Sequence, residues 1–209
     1  MEDDLKGTRH RYARRPASRV TAPEQVDRRV EICEKAFLTF TRYGYRKTTV
    51  EDIGKACGLG KAALYYYFSS KEEIFAELVR AKSERLLVVM ETAVKAAADP
   101  RARLVGLVKA RLQAIGEMLL GTAIVAELEE VLPAVNKLRQ DCFDKEVRLV
   151  ERVLADGVRR RVFKQCDTRS VALLIVRGMD LYFTETHGAP LMADGLEATM
   201  NLFFDGICR

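Results

Sequence analysis

Histidine is scarce in this chain of 209 residues, with two side chains only, His10 and His187. So few imidazoles leave no material for a His-rich metal site and little for acid–base catalysis, so neither an enzyme nor a metal or other cofactor is expected. Cysteine is sparse too: its five positions, 33, 57, 142, 166 and 208, are odd in number and include no CxxC pair. A disulfide framework and a thiol metal or redox motif are thereby disfavoured, and buried thiols are expected. Long apolar runs are missing. The longest aliphatic stretch, Val171 to Val176, is far below membrane-spanning length, and the charged N-terminus (Glu2, Asp3, Asp4, Lys6) lacks the apolar segment of a secretion signal. A cytoplasmic protein without a membrane partner is the expectation.

What remains has the balance of a globular chain, 48% hydrophobic and 31% charged, at a length that suits one medium domain or a small domain joined to a larger one. The net charge of +5 is unevenly placed. Residues 1–71 hold 15 Lys and Arg against 9 Asp and Glu, whereas residues 72–209 hold 20 against 21. A basic end on a near-neutral body fits a phosphate-binding module attached to a domain with another task.

Periodicity divides the chain further. Residues 1–22, with Arg9, Arg11, Arg14, Arg15 and Arg19, carry no helical stripe and read as a flexible basic arm. Thr21 and Glu24 have capping-box spacing, after which Val26, Val30, Cys33, Phe37 and Phe40 predict an amphipathic helix ended by Gly44. Thr49 and Asp52 open a helix of about two turns that Gly58 ends, and Lys61 to Phe68 forms a third with Leu64 and Phe68 inward. Ser70 and Glu73 cap a long fourth helix reaching about Ala98, with Ile74, Leu78, Leu86 and Met90 inward, until Asp99-Pro100 stops it. Further helices are expected at about 102–120, 123–131, 134–157, 168–186 and 192–207. Sustained period-two alternation is nowhere found, so the expected fold is all-α: an N-terminal three-helix helix-turn-helix domain over 23–70, then a larger helical domain over 71–209 for effector binding and dimerisation.

Two short helices joined by a glycine-containing turn, with a helix packed before them, form the unit whose second short helix enters the DNA major groove. With Leu64 and Phe68 inward, the 100° helical step turns Ala62 and Tyr66 outward, with Lys61, Ala63 and Tyr65 toward the flanks. Lys61 can reach a guanine edge or a phosphate, Ala62 and Ala63 allow close approach to thymine methyls, and hydroxyls of Tyr65, Tyr66 and Tyr67 can donate to phosphate oxygens. Thr48, Thr49 and Lys71, at neighbouring helix starts, are further phosphate candidates, and Tyr65 to Tyr67 can alternatively belong to the core, Tyr65 more readily than Tyr66.

The stretch AFLTFTRYGYRKTTVEDIGKACGLGKAALYYYFSSKEEIF, residues 36–75, resembles the DNA-binding region of the TetR family of transcriptional regulators. The likeness is carried by Ala36-Phe37, Gly44-Tyr45, Asp52-Ile53, Ala56, Gly58, Leu64-Tyr65, Phe68 and Lys71-Glu72-Glu73. It departs at Gly60, where the family commonly has a Ser or Thr cap, and at Ala62, where Gly or Pro is frequent. The resemblance implies a homodimer on double-stranded DNA with a two-fold-related operator, and usually repression relieved by a small-molecule effector.

Dimerisation is expected through residues 168–207, because VALLIVRGMDLYF is apolar nearly all round and a later segment adds Leu196, Met200, Phe203 and Ile207, with Gly178 and Gly206 allowing close approach. Effector candidates are Leu86, Met90, Leu112 and Phe143 as walls and Arg177 as a charged group. Arg177 has two readings: it pairs with Asp180 or across the dimer, or it receives an anionic group of a ligand. Other signals are set aside. Gly58-x-Gly60-x-x-Ala63 follows a helix where a dinucleotide site needs a strand, Arg159-Arg160-Arg161 complements a helix end, and adjacent Glu129-Glu130 diverge on a helix.

Overall fold

The computed structural model describes residues 22–129, 133–185 and 200–206, with side chains over 25–116, 135–182 and 200–206. Every regular element among them is an α-helix. The basic arm, the cap at Thr21 and the stretches 186–199 and 207–209 lie outside the described residues, and with them Leu196 and Ile207.

The first helix, α1, spans Ala22–Tyr43 and ends at Gly44, whose φ of +81° is the left-handed conformation that glycine adopts without a Cβ penalty. Its buried face is Ile32, Cys33, Ala36, Thr39 and Phe40, whereas Val26 and Val30 are exposed. The expected stripe is thus displaced over the first turns. Arg28 and Arg29 occupy the inward side there, reaching carbonyls of Cys57 and Tyr67.

Helix α2 (Val50–Ala56) opens with a complete capping box: Thr49 Oγ1 accepts from the Asp52 amide, and the Thr49 amide donates to Asp52 Oδ2 at 2.9 Å. The turn through Gly58 (φ +66°) leads to α3 (Lys61–Tyr67). This turn is tight, since a Cβ on Gly54 would lie 2.8 Å from the Leu59 carbonyl oxygen, to which no side chain can be fitted without a shift. Helix α4 (Lys71–Lys95) is capped by Ser70 Oγ, 3.1 Å from the Glu73 amide. The reciprocal bond is made one residue further back, where the Ser69 amide donates to the Glu73 carboxylate.

Asp99 caps α5 (Pro100–Glu129), accepting from the Ala102 amide at 2.9 Å. Its backbone continues through the break expected after residue 120, so two expected helices are one; an interior glycine costs a helix only about 1 kcal/mol. Two long elements follow, α6 (Pro133–Arg159) and α7 (Thr168–Glu185), then a helical stretch over 200–206.

Two apolar clusters organise these helices. The head gathers Ile32, Ala36, Phe40, Tyr45, Ile53, Leu64, Phe68, Ile74 and Phe75, with Phe40, Tyr45 and Phe75 in mutual ring contact at 5.0–5.6 Å. The body gathers Leu86, Met90, Leu104, Leu107, Val147, Val150, Leu154, Phe163, Val176 and Phe204. Helix α4 contributes to both, Ile74 to Val79 in the head and Leu86 and Met90 in the body. Helix α6 also joins them, because Val135 at its start is buried in the head cluster.

Candidate DNA interface and body site

Leu64 and Phe68 are fully buried, which fixes the rotation of α3 and leaves Lys61, Ala62, Ala63, Tyr65 and Tyr66 on its outer side. Tyr66 is 63% exposed, and its hydroxyl accepts from Gln25 Nε2 at 2.5 Å. Tyr67 is half-buried, packed against the head cluster. Gly60 caps α3 without a side-chain bond, so this short helix is held by packing and by Arg29. The Arg29 guanidinium lies 4.0 Å from the Phe68 ring centroid, donates to the Tyr67 carbonyl oxygen, and pairs with Glu73 of α4 at 3.3 Å.

The helix-start candidates divide. Thr49 is exposed beside its capping carboxylate. Thr48 is buried, and its hydroxyl donates to the Gly44 carbonyl oxygen at 2.8 Å, so the side chain closes the loop before α2, unlike the exposed Thr49. Lys71 is half-buried with its ammonium 3.0 Å from the carbonyl oxygens of Tyr45 and Thr48 and 4.3 Å from the Tyr45 ring centroid. Its charge holds a loop together. Lys61 is exposed and ion-paired with Glu51 of α2, whose carboxyl is held below the usual range first by that hydrogen bond. Nearby, Tyr45 donates to Glu72 Oε1 at 3.0 Å, and burial together with that bond raises its pKa.

Reasoning from the sequence passed over the other cations of this face. Arg46, Lys47 and Lys55 are exposed around α2, and an open cleft is lined by Lys35, Arg42, Lys47 and Lys55 with Asp52. The clustering of Arg46 and Lys47 immediately before two threonines was the available signal.

In the body, Leu86, Met90 and Leu112 are buried in the apolar cluster and Phe143 packs against it. Of the two readings of Arg177, the structure favours pairing with Asp180: its side chain is exposed, lies over the Phe143 ring at 3.9 Å, and stands 3.9 Å from Asp180. The buried cation is Arg111 on α5, 3% exposed, with Nε 2.5 Å from Glu146 Oε2 of α6 and Nη2 2.6 Å from Asp180 Oδ1 of α7. Burial alone would lower its pKa, but the two carboxylates outweigh that and keep it raised and charged. Removing one partner from such a pair typically costs about 3–5 kcal/mol.

Residues 32–78 match the family model described as bacterial regulatory proteins, tetR family. The likeness to that family lies in this N-terminal stretch. The chain is 40% identical over 88 residues to the HTH-type transcriptional repressor KstR2 of Mycobacterium tuberculosis, an alignment covering 42% of this chain and 44% of that protein. It thus spans less than half the length of that curated relative. It is 28% identical over 157 residues to the uncharacterized HTH-type transcriptional regulator YhgD of Bacillus subtilis, covering 73% of this chain and 80% of that one. Among solved structures, that of the ketosteroid transcriptional regulator KstR2 of M. tuberculosis superposes with a TM-score of 0.63 at 27% identity, over 87% of this chain and 95% of that one. A putative transcriptional regulator from Pseudomonas aeruginosa superposes with a TM-score of 0.78 at 17% identity, over 90% and 94%, which bears on fold alone. The head is followed in this chain by a helical body that shares the arrangement of those structures. Among the described residues no helix is long and apolar enough to cross a membrane.

Proposed function

We propose that this chain is a sequence-specific transcriptional regulator, a homodimeric repressor that leaves its operator when a small molecule binds the body. One observation carries the DNA-binding reading: α3 turns Leu64 and Phe68 into the head and leaves Lys61, Ala62, Ala63, Tyr65 and Tyr66 outward, a face of small, basic and hydroxyl-bearing groups suited to a major groove. Thr49 and the exposed Arg46, Lys47 and Lys55 supply backbone contacts, and Tyr67 supports the reading face from behind.

The dimer reading is supported by α7, where Leu174, Gly178 and Leu181 are exposed at helical spacing, and by exposed Leu202 in 200–206. Met200 and Phe203, expected on the dimer face, are half-buried and pack in part against their own body cluster. Arg177 lies on the same exposed face of α7, which favours its reading as an interface or ion-pair residue over a ligand anchor. Relief of repression follows if the ligand binds a conformer in which α4, shared by both clusters, has shifted the two reading heads out of operator register. Such a regulator works on chromosomal DNA in the cytoplasm.

The test is selection of tight-binding duplexes from a randomised pool with the full chain. An inverted repeat with half-sites about one helical turn apart is expected. Recovery of no common sequence contradicts the reading.

A further inference from the structure

We propose that Arg111 anchors a ligand in the body through Nη1, and that this ligand is an apolar molecule bearing a neutral acceptor oxygen, such as a ketone, and not a carboxylate. The inference rests on the reading of the body as an effector domain and adds the chemistry of the effector. A guanidinium carries five N–H donors in a rigid plane. Here Nε serves Glu146 and Nη2 serves Asp180, while Nη1 is buried and has no hydrogen-bond partner among the described residues. Rotating the plane to satisfy Nη1 would break bonds to two other helices. Glu146 is itself fixed, with Cys142 Sγ 3.3 Å from its Oε1 and the same sulfur 4.0 Å from the Ser83 carbonyl oxygen of α4. Four helices therefore meet at one polar node with an unused donor. Buried donors are almost always satisfied, so this one calls for an acceptor that the described residues do not supply.

The charges around the node decide what that acceptor is. Among the described residues the buried Arg111 faces two carboxylates, Glu146 and Asp180, and the exposed Arg177 stands 3.9 Å from the second. An added carboxylate would leave the buried node with an excess negative charge, which a low-dielectric interior penalises heavily. A carbonyl or hydroxyl oxygen accepts the hydrogen bond and adds no charge. The same stretches of α5, α6 and α7 carry Val108, Leu112, Val147, Val176 and Met179 of the apolar cluster, so the remainder of the ligand is apolar.

The test uses the full-length protein and three matched probe series of eight to twelve carbons: 2-alkanones, alkanoic acids and the corresponding hydrocarbons. Calorimetric titration and thermal shift are expected to rank ketone above acid and hydrocarbon. Arg111→Lys keeps a cation between the two carboxylates and lacks Nη1, and it should weaken ketone binding about tenfold while hydrocarbon binding and DNA binding stay at the parent level. Acids that bind as well as ketones overturn the proposal. So does a ketone no better than its hydrocarbon, or ketone binding unchanged in Arg111→Lys, which would assign Nη1 to a buried water. Should that variant fail to fold, the carbonyl stretch of the ketone bound to the parent protein decides: a shift to lower frequency than in hexane is expected, and no shift overturns the claim. DNA binding by the unliganded protein is read separately, so failure of the regulator reading is distinguishable from failure of the ligand assignment.

Discussion

Lys71, the first residue of α4, holds its Nζ 3.0 Å from the carbonyl oxygen of Thr48, the residue preceding the cap of α2. With the equal bond to Tyr45 and the ring beneath it, one ammonium ties the α1–α2 connection to the helix that continues into the body. Hydrogen bonds to charged groups contribute roughly 1.5–3 kcal/mol, and half-exposure of this site brings the expectation to the lower end. Lys71→Met, which keeps the stem, should lower stability by about 1–2 kcal/mol in urea unfolding and weaken binding to all DNA sequences alike. An unchanged unfolding midpoint would show that the bonds contribute nothing.

Glu51 offers the opposite experiment. Its carboxylate neutralises Lys61 at the head of the reading helix, yet both side chains are exposed, and such pairs add little to stability. Glu51→Gln should leave the unfolding midpoint unchanged while strengthening DNA binding severalfold, because it frees Lys61 and removes a negative charge facing phosphate. Anisotropy titrations check this, and weaker binding by the variant would place Lys61 elsewhere than at the DNA.

The thiols give a chemical readout of the packing. Burial, with Glu77 adding, pushes Cys33 up to about 12, and burial, with Glu146 adding, pushes Cys142 up to about 12. The thiolate is the nucleophile, so iodoacetamide at pH 8 should label the half-buried Cys166 well before Cys33 or Cys142 in native protein. The linkage has a definite sign. Between the unfolded value of 9.0 and about 12 the folded state keeps protons that the unfolded state releases, so stability is level below about pH 8.5 and falls as pH rises through that window. Cys33→Ala should flatten part of that fall. Equal labelling of Cys33, Cys142 and Cys166 would contradict the packing.

Local pattern made the head legible: Leu64 and Phe68, the Thr49–Asp52 box, Ser70 and the glycines at 44 and 58 all act as spacing and capping rules predict. Local pattern also misled where neighbours came from elsewhere in the chain. Val26 and Val30 fit a helical stripe, but the first turns of α1 meet the carbonyl ends of α2 and α3, which take arginines and not valines. Thr48 looked like a phosphate ligand because threonines before a helix often are, and only the fold shows its hydroxyl spent on Gly44. Arg111 escaped notice since a single arginine in a helix reads as solvated, and its partners lie 35 and 69 residues away. Arg177 drew attention for the converse reason, a charge in an apolar run whose outward position no window of sequence reveals.

The central claim is that the head of this protein binds duplex DNA by sequence through a basic face, and its most direct measurement is affinity against salt for a selected duplex and a scrambled one. Arg46, Lys47, Lys55 and Lys61 of each subunit are exposed. If a dimer neutralises ~8 phosphates, the log–log slope is roughly −7 for both duplexes, with the selected one tighter by on the order of a thousandfold or more. A slope near zero, or equal affinity for the two duplexes, would contradict the account.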